Sequence, residues 1–218
     1  MSELKVKYFD LREIDNDDIN KYLIKLQLDN YINKERIEKS LSYIPEKTRK
    51  QSILANALIS EELKDNAKEI YYNKKNKPLI NNDLFFSISH SEDYVVFVKD
   101  SKDIGIDIEY IDLKNIDVLD YAFNDDEKDF IRTNYKNNLK EGIIKFWTIK
   151  ESIYKASGII FDIEPKDIMI DTNDLNKVVF YDEIYNILSI KIENYYLSIT
   201  SKNIFDNIVL INEFSKEV

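Results

Sequence analysis

With 218 residues, 44% of them hydrophobic and 15 Tyr and 11 Phe among them, the chain is too apolar for disorder and long enough to bury the core of one large domain or two small ones. A formal net charge of -10 argues against a general nucleic-acid binder, which carries a basic excess, and leaves room only for a local basic pocket. The lack of cysteine excludes disulfides, thiolate zinc sites and thiol nucleophiles, and no apolar run approaches the roughly 18 residues of a membrane span. The opening MSELKVKYFD has no apolar signal-peptide region, so a soluble, cytoplasmic protein is expected.

In chain order, KVKYF (5–9) alternates as a short strand, and residues 16–41 carry Ile, Leu and Tyr at helical spacing. A helix follows over 45–63, with Pro45 in its first turn and Ile53, Leu54, Ala57 and Leu58 on its apolar face. LFFSIS (84–89), YVVFVK (94–99) and IGIDIE (104–109) read as three strands of one antiparallel meander. A second helical group covers 124–157, and the tail returns to strands near 167–171, 187–193, 195–200 and 207–213. FSISHS followed by VVFV (86–98) is echoed by LSITSK followed by IVLI (197–211), each set after a long helix. An α+β fold is expected, a pseudo-twofold pair of helix-plus-sheet halves spanning 1–103 and 104–218.

Two segments carry the chemistry. In GIDIEY (105–110) strand alternation sends Ile106 and Ile108 to one face and Asp107 with Glu109 to the other, their carboxylates about 7 Å apart. Gly105 opens that strand to close approach by a ligand or by backbone. In FWTIKESIYKASG (146–158) Ile143, Phe146, Trp147, Ile153 and Tyr154 gather on one side of a helix that Gly158 ends, and Lys150 falls inside this apolar stripe. A lysine there must snorkel to water or meet an anion. Bland alternatives stand beside each reading. The acids also suit a solvated strand face, Glu151 and Lys155 an ordinary i,i+4 pair, His90 a plain turn residue, and Asn124 with Glu127 a capping box.

Taken together, G-I-D-I-E (105–109) and F-W-T-I-K-E-S-I-Y-K-A-S-G (146–158) closely resemble the paired motif of the monomeric 4′-phosphopantetheinyl transferases that activate peptide and polyketide synthetases. K-P (77–78), F-S-I-S-H-S (86–91) and F-N-D-D-E (123–127) support the resemblance, whose order and spacing hold over roughly residues 30 to 160. It implies an enzyme with its coenzyme A site between pseudo-symmetric halves, acting as a monomer. Asp107, Glu109 and Glu151 match the family's acids for Mg²⁺, with Mn²⁺ as an alternative. Lys150 and Lys155 match its helix lysines, Lys155 neutralising phosphate charge, while Ser89 and His90 match its phosphate contacts and Lys77 a basic residue near the nucleotide. Arg36 and Lys39 resemble its 3′-phosphate pair, and Glu127 matches a position proposed for the general base. Ile159, Ile160 and Phe161 lie where the family docks its apo carrier protein. Gln51 and Ala55 depart from the family's Arg and Gly, and Asn76 from its Gly before K-P. A metal-dependent nucleotide phosphohydrolase and a non-catalytic carrier-binding protein are the alternatives.

Overall fold

The structure is a computed structural model that describes residues 3–72, 78–80, 83–112, 118–158 and 163–214. Lys77, Ile159, Ile160 and Phe161 lie outside the described residues. Along the chain come β1 (Glu3–Asp10), α1 (Asn16–Asp29), α2 (Lys34–Ser42), α3 (Glu46–Leu63), β2 (Tyr71–Tyr72), β3 (Pro78–Leu79), β4 (Phe85–Ser91), β5 (Tyr94–Asp100) and β6 (Ile104–Tyr110). They are followed by α4 (Val118–Ala122), α5 (Asp125–Asn134), α6 (Leu139–Ser157), β7 (Lys177–Phe180), β8 (Glu183–Ile192), β9 (Tyr195–Ser201) and β10 (Asn207–Asn212). The expected α+β class is therefore observed. Among the described residues no helix is long and apolar enough to cross a membrane.

Two compact units divide the chain, residues 1–99 with 205–218 and residues 100–204. In the first, the strand order is β10-β1-β5-β4, with β1 antiparallel to β5 and parallel to β10. Phe9, Phe86, Val95 and Phe97 from this sheet form one core with Leu26, Ile53, Leu54 and Leu58 from the helices. Asp15 caps α1 by accepting from the Asp17 and Asp18 amides, and Asn30 ends it in the left-handed region that Asn tolerates. The C-terminal segment is tied in by more than its strand. Lys7 bonds Glu213 at 2.6 Å and Glu62 at 3.3 Å, and Lys99 meets the same Glu62 at 3.1 Å.

The second unit has the order β6-β9-β8-β7, antiparallel throughout. Its core joins Phe123, Ile131, Ile143, Phe146, Ile149 and Ile153 to Val178, Phe180, Tyr185 and Ile187. Three expectations change. β6 does not continue a meander from β5 but pairs with β9, nearly a hundred residues on, because its register partner is set by the second unit's own sheet. The second pair of the expected echo, β9 and β10, lies in two different sheets, whereas β4 and β5 are neighbours in one. The stretch 167–171 forms a 3-10 turn and irregular chain; Ile168 and Ile170 are buried alternately as in a strand, yet no ladder runs beside them.

Candidate active site

Asp107 and Glu109 share a face of β6, as alternation requires, and their register partners on β9 are Ser198 and Tyr196. That face is covered by α6. The helix lies close because its contact side is small and polar: Thr148 Oγ1 and Ser198 Oγ are 2.8 Å apart, and Ser152 Oγ and Thr200 Oγ1 are 2.7 Å apart. Gly105 completes the fit. A Cβ there would stand 2.1 Å from the Ser152 carbonyl oxygen and 2.4 Å from the Ala156 nitrogen. The open side of Gly105 is thus taken by backbone. At the start of α6 Glu141 accepts from the Tyr196 hydroxyl at 2.9 Å and from Lys191 at 2.8 Å, which aligns the helix along the same seam.

On this seam Lys155 Nζ donates to Asp107 Oδ1 at 2.6 Å, with the aspartate side chain 4% exposed and the lysine 25%. Glu151, one turn before Lys155, is half-buried; burial pushes its carboxyl above the usual range, the Asp107 charge adds to this, and Lys155 opposes it. Asp107, Glu151 and Lys155 therefore sense one another, and the bland i,i+4 surface pair does not describe them. Glu109 follows on the same face, half-buried. Among the described residues no group of three acids is arranged to hold a metal ion. Two neighbouring carboxylates with an ammonium set against one of them offer hard oxygen donors and negative potential, a donor set that fits Mg²⁺ when phosphates and water complete the coordination.

Glu127 and Lys150 form a second, separate pair. Their side chains are 0% and 1% exposed and meet at 2.7 Å. Glu127 does cap α5, accepting the Asn124 amide on Oε2, but its Oε1 also accepts the Ile170 amide at 2.9 Å. Lys150 donates to the Pro165 carbonyl at 3.0 Å and lies 5.3 Å from the Phe123 ring centroid. Burial pushes its ammonium below the usual lysine range, against the pull of Glu127. The lysine in the apolar stripe has met an anion rather than snorkelled.

In the first unit, Arg36 on α2 donates its Nε–H to Asn56 Oδ1 at 3.0 Å and lies 5.4 Å from the Tyr72 ring centroid. Its Nη1 is buried and has no hydrogen-bond acceptor among the described residues, and burial lowers its pKa. Lys39, one turn further, is exposed. Ser89 is buried and His90 exposed near the end of β4, so His90 is a strand residue rather than a turn residue; α3 secures the turn that follows, where Gln51 donates to the Glu92 carbonyl at 2.9 Å and Lys47 pairs with Asp93 at 3.0 Å. Gln51 is spent on this turn, whose Glu92 sits at φ 46°. Sequence reasoning missed Asn56 and Tyr72 as the seat of Arg36, and it missed the polar seam. The available signal for the seam was the pairing of small polar residues four apart on α6 with alternate Ser and Thr on β9.

The sequence model of the 4′-phosphopantetheinyl transferase superfamily matches residues 103–200, which include β6, α6 and all but the last residue of β9. The chain is 29% identical to the 4′-phosphopantetheinyl transferase gsp of Aneurinibacillus migulanus over 159 residues, 70% of this chain and 67% of that protein. It is 26% identical to the 4′-phosphopantetheinyl transferase Sfp of Bacillus subtilis (strain 168) over 153 residues, 61% of this chain and 68% of that protein. A further 4′-phosphopantetheinyl transferase of Bacillus subtilis is 34% identical over 76 residues, covering 35% of this chain and 34% of its own length.

Proposed function

The chain belongs to the 4′-phosphopantetheinyl transferase superfamily, and we propose that the seam between β6 and α6 carries its chemistry. The reaction is transfer of the 4′-phosphopantetheine group from coenzyme A to a serine of an apo carrier protein. The serine oxygen loses its proton to solvent water and bonds to the pantetheine-side phosphorus, the bond from that phosphorus to the bridging oxygen breaks, and adenosine 3′,5′-bisphosphate leaves with the electron pair. Family membership favours this transfer over nucleotide hydrolysis or carrier binding alone.

The observation that carries the assignment is the Lys155 ammonium held 2.6 Å from Asp107 with Glu151 beside it. Asp107, Glu109 and Glu151 would hold Mg²⁺, or Mn²⁺ in its place; a hard divalent ion supplies charge neutralisation at a pyrophosphate. Lys155, a quarter exposed on a long stem, reaches from Asp107 toward a phosphate oxygen and neutralises charge there as the bridging bond breaks. Arg36 and Lys39 bind the 3′-phosphate, a reading supported by a buried guanidinium nitrogen that lacks an acceptor among the described residues. Ser89 and His90 contact phosphate from the end of β4, next to the turn braced by Gln51. Lys77 reaches the nucleotide, and the carrier docks at Ile159, Ile160 and Phe161. Incubation with coenzyme A, Mg²⁺ and several apo carriers, read by intact mass, tests the proposal. The wild-type chain should add one phosphopantetheine per carrier, and Asp107→Asn should abolish the addition while still folding. Nucleotide breakdown without carrier modification, or a fully active Asp107→Asn variant, would refute it.

A further inference from the structure

Glu127 and Lys150 are more completely engaged than a proton acceptor and a phosphate ligand can be. A general base must come within about 2.6–3.2 Å of the hydroxyl it deprotonates, directly or through one water. Glu127 is fully buried, and three donors from three places in the chain occupy it: the Asn124 amide and Lys150 on Oε2, the Ile170 amide on Oε1. Lys150 Nζ has three hydrogens, of which one goes to Glu127 and one to the Pro165 carbonyl, while the ring of Phe123 lies beside the ammonium. Neither group has a free face for serine or phosphate. What the pair does is join α6 to the start of α5 and to the chain around 165–170.

We infer that Glu127 and Lys150 are a positioning pair, whose closed ion pair fixes the rotation of α6 and thereby the aim of the next residue, Glu151, and of Lys155 one turn on. Successive helix positions are about 100° apart, so a clamp on Lys150 holds Glu151 on the neighbouring flank, toward β6. Thr148 and Ser152 then hold the opposite side of the same turn against Ser198 and Thr200. The helix is gripped from both sides at the level where the acids and lysine meet. This inference rests on the transferase reading above, and the assay separates the two. If the wild-type chain modifies no carrier, that reading fails; if wild type works, the variants judge the pair.

Three variants are compared below their melting temperatures: Lys150→Met, Glu127→Gln, and the double variant. Lys150→Met leaves a buried carboxylate without its cation, so it melts well below wild type. Its kcat should drop by about 10- to 100-fold, the cost of an ångström-scale misplacement, with KM for coenzyme A unchanged. The double variant replaces the charges with neutral side chains: the Gln carbonyl oxygen still accepts from Ile170, while its amide nitrogen takes the place of Oε2 and the Asn124 amide loses its acceptor. It should recover both melting temperature and kcat to within about tenfold of wild type, whereas loss of a true base costs about 10²–10⁴-fold and no lysine change restores it. The pH–rate profile of Glu127→Gln should keep the wild-type shape. A folded double variant as inactive as a missing base, a lost limb in the pH profile, or a KM for coenzyme A that rises with the fall in kcat would overturn the inference. So would a folded Lys150→Met with undiminished kcat, which would leave the pair merely structural.

Discussion

Replacing Gly105 by Ala tests whether the close approach of α6 to β6 sets the site. The added Cβ meets the Ser152 carbonyl oxygen at 2.1 Å, the Ala156 nitrogen at 2.4 Å and the Lys155 carbonyl carbon at 3.0 Å. A carbon and an oxygen sit comfortably at about 3.3 Å, so roughly 1 Å of separation must open. All three atoms are backbone, and no rotamer change relieves the clash. Overpacking of this kind costs about 3 kcal/mol, which in a chain of this size lowers the melting temperature by roughly 6–12 °C. A 1 Å withdrawal of α6 also pulls Lys155 and Glu151 away from Asp107, for a loss of about 10²-fold in carrier modification by the molecules that remain folded. Differential scanning fluorimetry and intact-mass kinetics read the two effects. If Gly105→Ala melts and transfers like wild type, the seam does not position the acids and the reasoning fails.

Lys155→Met removes the ammonium that stands against Asp107, leaving two neighbouring carboxylates to repel, so added Mg²⁺ should raise its melting temperature by more than it raises that of wild type. An equal Mg²⁺ shift in both proteins would mean that lysine and metal do not share this spot. Gln51→Ala breaks the donor to the Glu92 carbonyl, worth about 1–2 kcal/mol for a part-buried bond, and loosens the turn that follows His90 on β4. KM for coenzyme A should rise several-fold with little change in kcat; an unchanged KM would detach that turn from nucleotide binding.

Features determined by neighbours in sequence were legible. Strand alternation put Asp107 and Glu109 on one face, Gly158 ends α6 at φ 63°, and Asn124 with Glu127 forms the capping box. The lysine in the apolar stripe was correctly required to have an anion or an exit. Features determined at a distance were not legible. The capping box accounts for one oxygen of Glu127, and nothing local reveals that the other takes the Ile170 amide 43 residues away. That bond also explains why 167–171 imitates a strand: its amide is claimed by a carboxylate, so burial alternates without a ladder. The parallel partner of β1 lies about two hundred residues on, and the short polar turn after β5 looks no different from a hairpin although β6 leaves for another sheet.

The same small residues answer both the packing question and the chemical one. A helix that met β6 and β9 through Leu or Ile would stand off by the width of those side chains, and Lys155 would span that gap before reaching Asp107. Thr148, Ser152, Ser198, Thr200 and Gly105 close the gap, and each hydroxyl they bury has a partner, so close approach leaves no unsatisfied polar group among them. Apolar burial is carried by the helix's other side, where Phe146, Ile149 and Ile153 enter the core. α6 therefore divides its circumference between a stabilising stripe and a polar seam, and the clamp on Lys150 sits inside the stripe. Because a rotation large enough to mis-aim Glu151 would also expose that clamped charge, the core resists it and keeps Glu151 beside Asp107.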